Sequence, residues 1–253
     1  MKHYLSACLM VKDEALNLHE WLKYHFQLGF DHVYLYDNES TDQTIEVAKL
    51  FGNKVTIERV FGTAKQYETY SKCMVFHGDE TRWLAFIDTD EFVVPKKATL
   101  LDTLEPYEPY GGLCVHWVLF GDNGQQKAAR QPVVERFTMR EKGVNPHVKS
   151  FVDPKKCIKI HTSHKWIHTV PAVDENFMVI PETESRPTPA TADIIQLNHY
   201  ATKSREECYQ RRVKKLRPDI NATRNFDAFY AEHNKNEIED LRALELWRKY
   251  AKS

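Results

Sequence analysis

The chain lacks any apolar run near the ~20 residues that a membrane-spanning helix needs. Its leading apolar stretch, Leu5-Ser6-Ala7-Cys8-Leu9-Met10-Val11, is far shorter and is not followed by a small-residue cleavage site. It also lacks a C-x-x-C pair. Cys8, Cys73, Cys114, Cys157 and Cys208 are scattered, which points to free thiols in a reducing compartment and against a disulfide framework. Net charge is close to absent, −1 over 253 residues. No global basic field is therefore available to recruit nucleic acid, and no nucleic-acid partner is expected. No internal repeat is visible. What remains is ordinary for a soluble globular protein, with 42% hydrophobic and 28% charged residues. The expectation is a cytoplasmic protein, with any membrane contact made peripherally at the inner face.

What is present begins with alternating strand and helix signals. Leu5 to Val11 reads as a buried strand. Asp13 is positioned to cap a helix in which Leu18, Trp21, Leu22, His25 and Leu28 keep helical spacing, and Gly29 ends it. His32 to Tyr36 is a second strand, followed by the turn Asp37-Asn38-Glu39-Ser40-Thr41-Asp42 and a helix to about Leu50. Lys54 to Val60, a helix from about Ala64 to His77, and Trp83 to Ile87 complete the first half. This order predicts parallel strands in a doubly wound α/β sheet with right-handed crossovers. After Phe92 the signals weaken: Val93-Val94, Gly112 to Leu119 and Ile194 to Leu197 read as strands, and 130–180 as short β-like pieces. Glu182 to Ala192 reads as a loop, and helices follow from Ser204. The expected organisation is one domain over 1–253. In it 1–92 resemble a nucleotide-binding half, 93–203 form the second half and 204–253 form C-terminal helices.

Asp88-Thr89-Asp90 follows the strand Trp83 to Ile87. Two carboxylates one residue apart can project from the carboxyl edge of a sheet, where open α/β folds bind ligands. Mg²⁺ and Mn²⁺ take oxygen ligands and usually bind substrate phosphates as well. The pair therefore suggests a metal that holds a diphosphate; the plain alternative is a polar turn. In the turn at Asp37 a carboxylate can accept from a base N–H or a ribose hydroxyl, while Ser40, Thr41 or Asp42 can cap the helix that follows.

Several blocks together resemble glycosyltransferases related to families 2 and 92, including the domain once called unknown-function 23. They are Val11-Lys12-Asp13-Glu14 with Glu20 to His25, and the turn Asp37 to Asp42, similar to a D-D-x-S-x-D-x-T element. Gln66 and Tyr70 come next, and then Trp83 to Phe92, similar to W-x-x-x-x-D-x-D-E-F. Trp117 to Gly121, Glu135-Arg136-Phe137, Lys149-Ser150, Asn198-His199-Tyr200 and Lys203 to Glu207 follow in order. The resemblance implies a GT-A fold, a mixed Rossmann-like sheet with helices on both faces, and a nucleotide-sugar donor with Mn²⁺ or Mg²⁺. It implies Asp88 and Asp90 at the metal, Asp88 also near the ribose, and His199 as a later metal ligand. Val11, Asp13, Glu14, Asp37, Asn38 and Gln66 join Asp88 on the donor side. Asn38 stands where many relatives carry an Asp that pairs with uracil N3–H; an amide carbonyl can accept the same bond, and a UDP-sugar is the expected donor.

If the reaction inverts the sugar, a carboxylate must deprotonate the acceptor hydroxyl. Glu135 is the first candidate, Asp122 the second, and Asp174 or Glu175 the third. The acceptor is expected to be a glycan or a lipid-linked glycan, and Trp117 could supply a platform for a sugar ring. Oligomeric state is left open. Two other classes compete. A haloacid dehalogenase-like phosphatase also uses Asp-x-Asp after a strand, but it continues with Thr where this chain has Phe92. A sugar-binding module without catalysis is the third reading. His161, His164 and His168 near Cys157 lack the pattern of a zinc site and read as pocket lining or surface. The basic run with Lys203, Arg205, Arg211, Arg212, Lys214, Lys215 and Arg217 reads as a solvated helix face that could meet anionic lipid. Ile238, Leu241, Leu244 and Trp247 read as the packed face of the final helix.

Overall fold

The computed structural model describes residues 1–213, 216–220, 222, 223 and 225–251. The first half is β1 (His3–Val11), α1 (Ala15–Leu28), β2 (His32–Asp37), α2 (Thr44–Lys49), β3 (Val55–Arg59), α3 (Gln66–His77) and β4 (Thr81–Phe86). The remainder is β5 (Glu91–Pro95), α4 (Leu100–Leu104), β6 (Gly112–Leu119), α5 (Val133–Arg136), β7 (Met139–Arg140), β8 (Asn145–Val152), β9 (Cys157–Ile160), β10 (Trp166–His168), β11 (Ile195–His199), α6 (Arg205–Arg212), α7 (Phe226–His233), β12 (Ile238–Glu239) and α8 (Arg242–Ala251). Eight strands form one mixed sheet in the order β3-β2-β1-β4-β8-β6-β11-β5. The first four are parallel, in register Leu9↔Leu35 and Leu5↔Trp83. This is the mixed α/β sheet with a parallel first half that the sequence led us to expect.

Period-two side-chain alternation explains why both faces of β1 are buried. Leu5, Ala7, Leu9 and Val11 join the large core beneath α1, with Leu18, Trp21 and Leu22. Cys8 faces the opposite side, with Tyr34, Tyr36, Tyr70, Cys73, Leu84, Phe86 and Trp166. Gly29 closes α1 at φ +109, a left-handed conformation that glycine adopts without Cβ strain.

The second half departs from its reading in one important way. The weak signal around Val148 is β8, a strand of 8 residues in mid-sheet, antiparallel to both β4 and β6. Asn145, Pro146, His147, Lys149 and Ser150 disguise it, and two of them, His147 and Lys149, line the cavity described below. Phe86 and Glu91 lie five Cα steps apart, and a chain covers at most ~3.5 Å per step. Yet β4 and β5 stand four places apart in the strand order. At ~4.8 Å per place a flat sheet would consume that whole reach, so the sheet curls and the link 87–90 bridges across its mouth. Trp21 Nε1 and Tyr24 Oη of α1 donate to Glu91 O and Val93 O at 2.8 and 2.9 Å and hold β5 there.

Two C-terminal readings change. Ile238 lies in β12, paired with β7, and not in the final helix. Leu244 is buried in α8, with Trp247 packed against the core. Among the described residues of the basic run only Arg205–Arg212 is helical, Lys203 precedes that helix and is buried, and Lys214 and Lys215 lie outside the described residues. Among the described residues no helix is long and apolar enough to cross a membrane.

Candidate active site

A cavity of about 660 Å³ opens where β1, β2 and β4 end. Val11, Asp13, Glu14, Asn38, Gln66, Asp88, Asp90 and His199 all line it, together with Trp117, His147, Lys149, His164, Arg211 and Arg212. Residues from both halves of the chain therefore share one cavity.

The first two strand ends are stitched to each other. Asp13 does not cap α1. At φ +52 its carboxylate turns back and accepts from Thr41 N at 2.7 Å. Asp42 does the work across the gap, accepting from Ala15 N at 3.0 Å, while Asp13 N and Glu14 N donate to Ser40 Oγ and Thr44 Oγ1. Asp37 is fully buried, near Ser40 N, and does not line the cavity. Asn38 does. Its Nδ2 donates to Val60 O and Gly62 O at 3.2 and 2.9 Å. These bonds fix the amide and leave Oδ1 as its acceptor. That orientation suits an N–H of a nucleobase.

Asp88 and Asp90 sit in the link between β4 and β5. Asp88 Oδ2 accepts from Lys149 Nζ at 2.8 Å and Oδ1 from Tyr70 Oη at 3.3 Å; Tyr70 Oη in turn accepts from Gln66 Nε2. Burial would raise the Asp88 pKa, but the Lys149 ammonium outweighs it and holds the carboxyl below its usual range. Asp90 Oδ2 meets Arg212 at 2.9 Å, Arg211 at 3.3 Å and His199 Nε2 at 3.7 Å. Burial is again opposed, here by Arg211, His199 and Arg212, and Asp90 stays well below the carboxylate range. Glu91 is fully buried. Burial pushes it up to about 8 although Lys149 stands 3.7 Å away.

Aromatic rings cluster beside these charges. Trp117 stacks on His147 with centroids 4.9 Å apart and packs against His199 at 4.1 Å. Its buried Nε1 has no hydrogen-bond partner among the described residues. His164 binds Val148 O through Nδ1 at 2.8 Å, and burial, with Lys149 nearby, lowers its pKa to about 3. His161, His164 and His168 do not gather as a zinc site; His164 alone of them lines the cavity.

The donor chemistry of Asp88, Asp90 and His199 suits Mn²⁺ or Mg²⁺: two carboxylates and an imidazole whose buried Nδ1 has no hydrogen-bond partner among the described residues. The donors do not close on one point. Among the described residues no three His, Cys, Asp or Glu side chains form a metal-holding group, and guanidinium and ammonium groups stand on the carboxylates instead.

None of the four carboxylates named as a base lines the cavity. Glu135 is exposed and accepts from Trp247 Nε1 at 3.1 Å. Asp122 is buried in a loop, accepting from Gly124 N, Asn236 Nδ2 and Tyr230 Oη. Asp174 caps its own turn through Asn176 N and Met178 N, and Glu175 accepts from Asp193, Ile194 and Ile195 N. Glu232, which no motif singled out, does line the cavity, with Arg186 4.0 Å away. Lys149, Arg211 and Arg212 also went unassigned. For Lys149 a signal existed in the Lys149-Ser150 block; for the arginines, only a charge run.

The family model described as Glycosyltransferase family 92 matches residues 3–247. A glycosyltransferase family 92 protein of Oryza sativa subsp. japonica is 30% identical over 159 residues, covering 60% of this chain and 27% of its own. One of Arabidopsis thaliana is 29% identical over 170 residues, covering 61% and 29%. The chain thus spans less than a third of the length of these curated relatives. Solved structures overlap partially. TarS of S. aureus with UDP aligns at TM-score 0.39 and 18% identity over 50% of this chain and 38% of its own. Glucosyl-3-phosphoglycerate synthase of Mycobacterium tuberculosis aligns at 0.34 and 18% over 46% and 44%. A match running from the first strand into the last helix is to the whole architecture and not to a motif, and the chain belongs to glycosyltransferase family 92.

Proposed function

We propose that this cavity transfers a hexose or N-acetylhexosamine from a nucleoside-diphosphate sugar, a UDP-sugar by preference, to a hydroxyl of a glycan or lipid-linked glycan. The observation that carries the reading is the one cavity shared by Asn38, Asp88, Asp90 and His199. Asn38 Oδ1 accepts from the base, and the Asp13–Thr41 stitch keeps that end rigid. Asp88, Asp90 and His199 would hold a divalent cation, which when bound neutralises the leaving diphosphate. Lys149 fixes Asp88 in its ionised form. Trp117, at the cavity edge, backs the rings of His147 and His199 and adds an apolar contact for the acceptor sugar. The displacement inverts the anomeric centre, and Glu232 takes the acceptor proton, being a cavity carboxylate linked to His147 through Arg186.

The test is calorimetry of UDP with and without Mn²⁺, followed by turnover of the variants. Asp90→Asn should abolish the Mn²⁺-dependent part of UDP binding without unfolding the protein. Glu232→Gln should lower turnover by roughly the 10²–10⁴ of general-base loss with donor affinity retained, while Glu135→Gln should change little. Equal UDP affinity with and without Mn²⁺ would overturn the metal reading. A defect in Glu135→Gln alone would return the base to that residue.

A further inference from the structure

Asp90 is crowded by cations that the protein supplies itself. Its Oδ2 lies 2.9 Å from Arg212, 3.3 Å from Arg211 and 3.7 Å from His199. Both arginines come from the last turn of α6, and Arg211 also reaches Glu14 at 3.4 Å. The other end of α6 is anchored. Ser204 and Glu207 form a capping box, and Glu207 pairs with Arg136 at 2.6 Å. Its far end brings Arg211 and Arg212 to the cavity lining, and the buried Arg212 Nε has no hydrogen-bond partner among the described residues. A guanidinium with unused N–H groups is built for a phosphate, which it can meet with two parallel bonds. A divalent cation seeking Asp90 meets the same guanidiniums as like charges, and its double charge doubles the repulsion.

We propose that Arg211 and Arg212 hold the place of the cation in the donor-free protein. They neutralise Asp90 while the cavity is empty, and they pass to the diphosphate as the cation takes Asp90. The exchange rests on the metal reading above and adds to it a coupling. Cation alone binds weakly, because it must displace two guanidiniums. Cation and nucleotide together bind well, because the displaced guanidiniums gain phosphate oxygens. Such coupling is reciprocal.

The experiment is a Mn²⁺ titration of the full chain by electron paramagnetic resonance, with and without UDP. It compares wild type, Arg212→Gln, Arg211→Gln, Arg212→Lys and Asp90→Asn, each checked for folding by thermal melting. Either glutamine variant should bind Mn²⁺ alone more tightly, on the order of tenfold given usual coupling strengths, and should gain less from UDP. Arg212→Lys keeps the charge and should remain near wild type for Mn²⁺ alone. Having two glutamine variants keeps the test alive if one fails to fold. Unchanged or weaker Mn²⁺ affinity in a folded glutamine variant overturns the exchange while leaving the metal reading intact. If Mn²⁺ binds no protein in the set, or binds Asp90→Asn as well as wild type, the metal reading falls and the exchange falls with it.

Discussion

Lys149→Met should expose how much of the fold's stability is tied up in the site. Lys149 is 1% exposed in the middle of β8, 2.8 Å from Asp88 and 3.7 Å from Glu91. Coulomb's law at an effective dielectric of ~20 gives about 6 kcal/mol for the Asp88 contact, and about 4 kcal/mol for Glu91 only once it ionises above its pKa of about 8. The full sum is not lost, because the orphaned carboxylates can take up a proton. Breaking a buried pair by removing one partner typically costs about 3–5 kcal/mol, and a loss of that size is expected in urea unfolding at pH 7. The pH dependence is the sharper signature. Glu91 has a folded-state pKa of about 8, above its ordinary value of 4.5. The stability it contributes is present at low pH and is lost as pH rises from 4.5 through 8. Above 8 that contribution in the wild type is spent. Without the ammonium, Glu91 moves higher still, so the folded variant keeps a proton that its unfolded chain has released. Each such proton costs about 1.4 kcal/mol per pH unit, and the gap between the two proteins should widen between pH 8 and 9.5. A gap below about 1 kcal/mol, or one independent of pH, would refute the reasoning.

Gly111→Ala should destabilise by about 1–3 kcal/mol or more, as overpacking does, since its Cβ would lie 2.1 Å from Val170 O and 2.8 Å from His168 Cβ; chemical denaturation measures it, and UDP affinity per folded molecule should not change. His25 is buried and neutral, bonded to Trp21 O through Nδ1 and accepting from Val93 N at Nε2, and burial lowers its pKa to about 3. The unfolded chain protonates first, near 6.5, so the stability His25 contributes is full above 6.5 and is lost as pH falls toward 3. His25→Asn should flatten that acid limb by up to one proton, read from urea unfolding between pH 4 and 7.

The parallel first half was legible because β1, β2 and β4 are buried on both faces and α1 carries plain helical spacing. That Asn38, Asp88 and Asp90 line one cavity was legible for a related reason: each lies within a few residues of the end of a parallel strand, so order along the chain predicts place in space. The rest failed where local pattern and role conflict. β8 reads poorly as a strand because Lys149 and His147 face the cavity, and functional positions are where consistency between levels breaks down. Arg211 and Arg212 looked like a solvated face because a charge run carries no record of a partner about 120 residues earlier; Asp90 is that partner. Glu135 sat in a family-like block, but its carboxylate is turned to Trp247.

The bridge between β4 and β5 has a consequence for how the protein is made. β5 follows β4 after only four residues, yet its sheet partner is β11, about a hundred residues further on. β4 in turn waits for β8 on its open side. During synthesis the acidic link therefore emerges early, flanked by one strand with a free edge and another with no neighbour. Pairings between distant segments form slowly, and unpaired edges invite aggregation until they close. The two aspartates acquire fixed positions only when Ile195–His199 has left the ribosome, and the strand that closes the sheet is the one that brings His199. Completion of the sheet and completion of the site are one event, so a chain arrested before β11 would present neither.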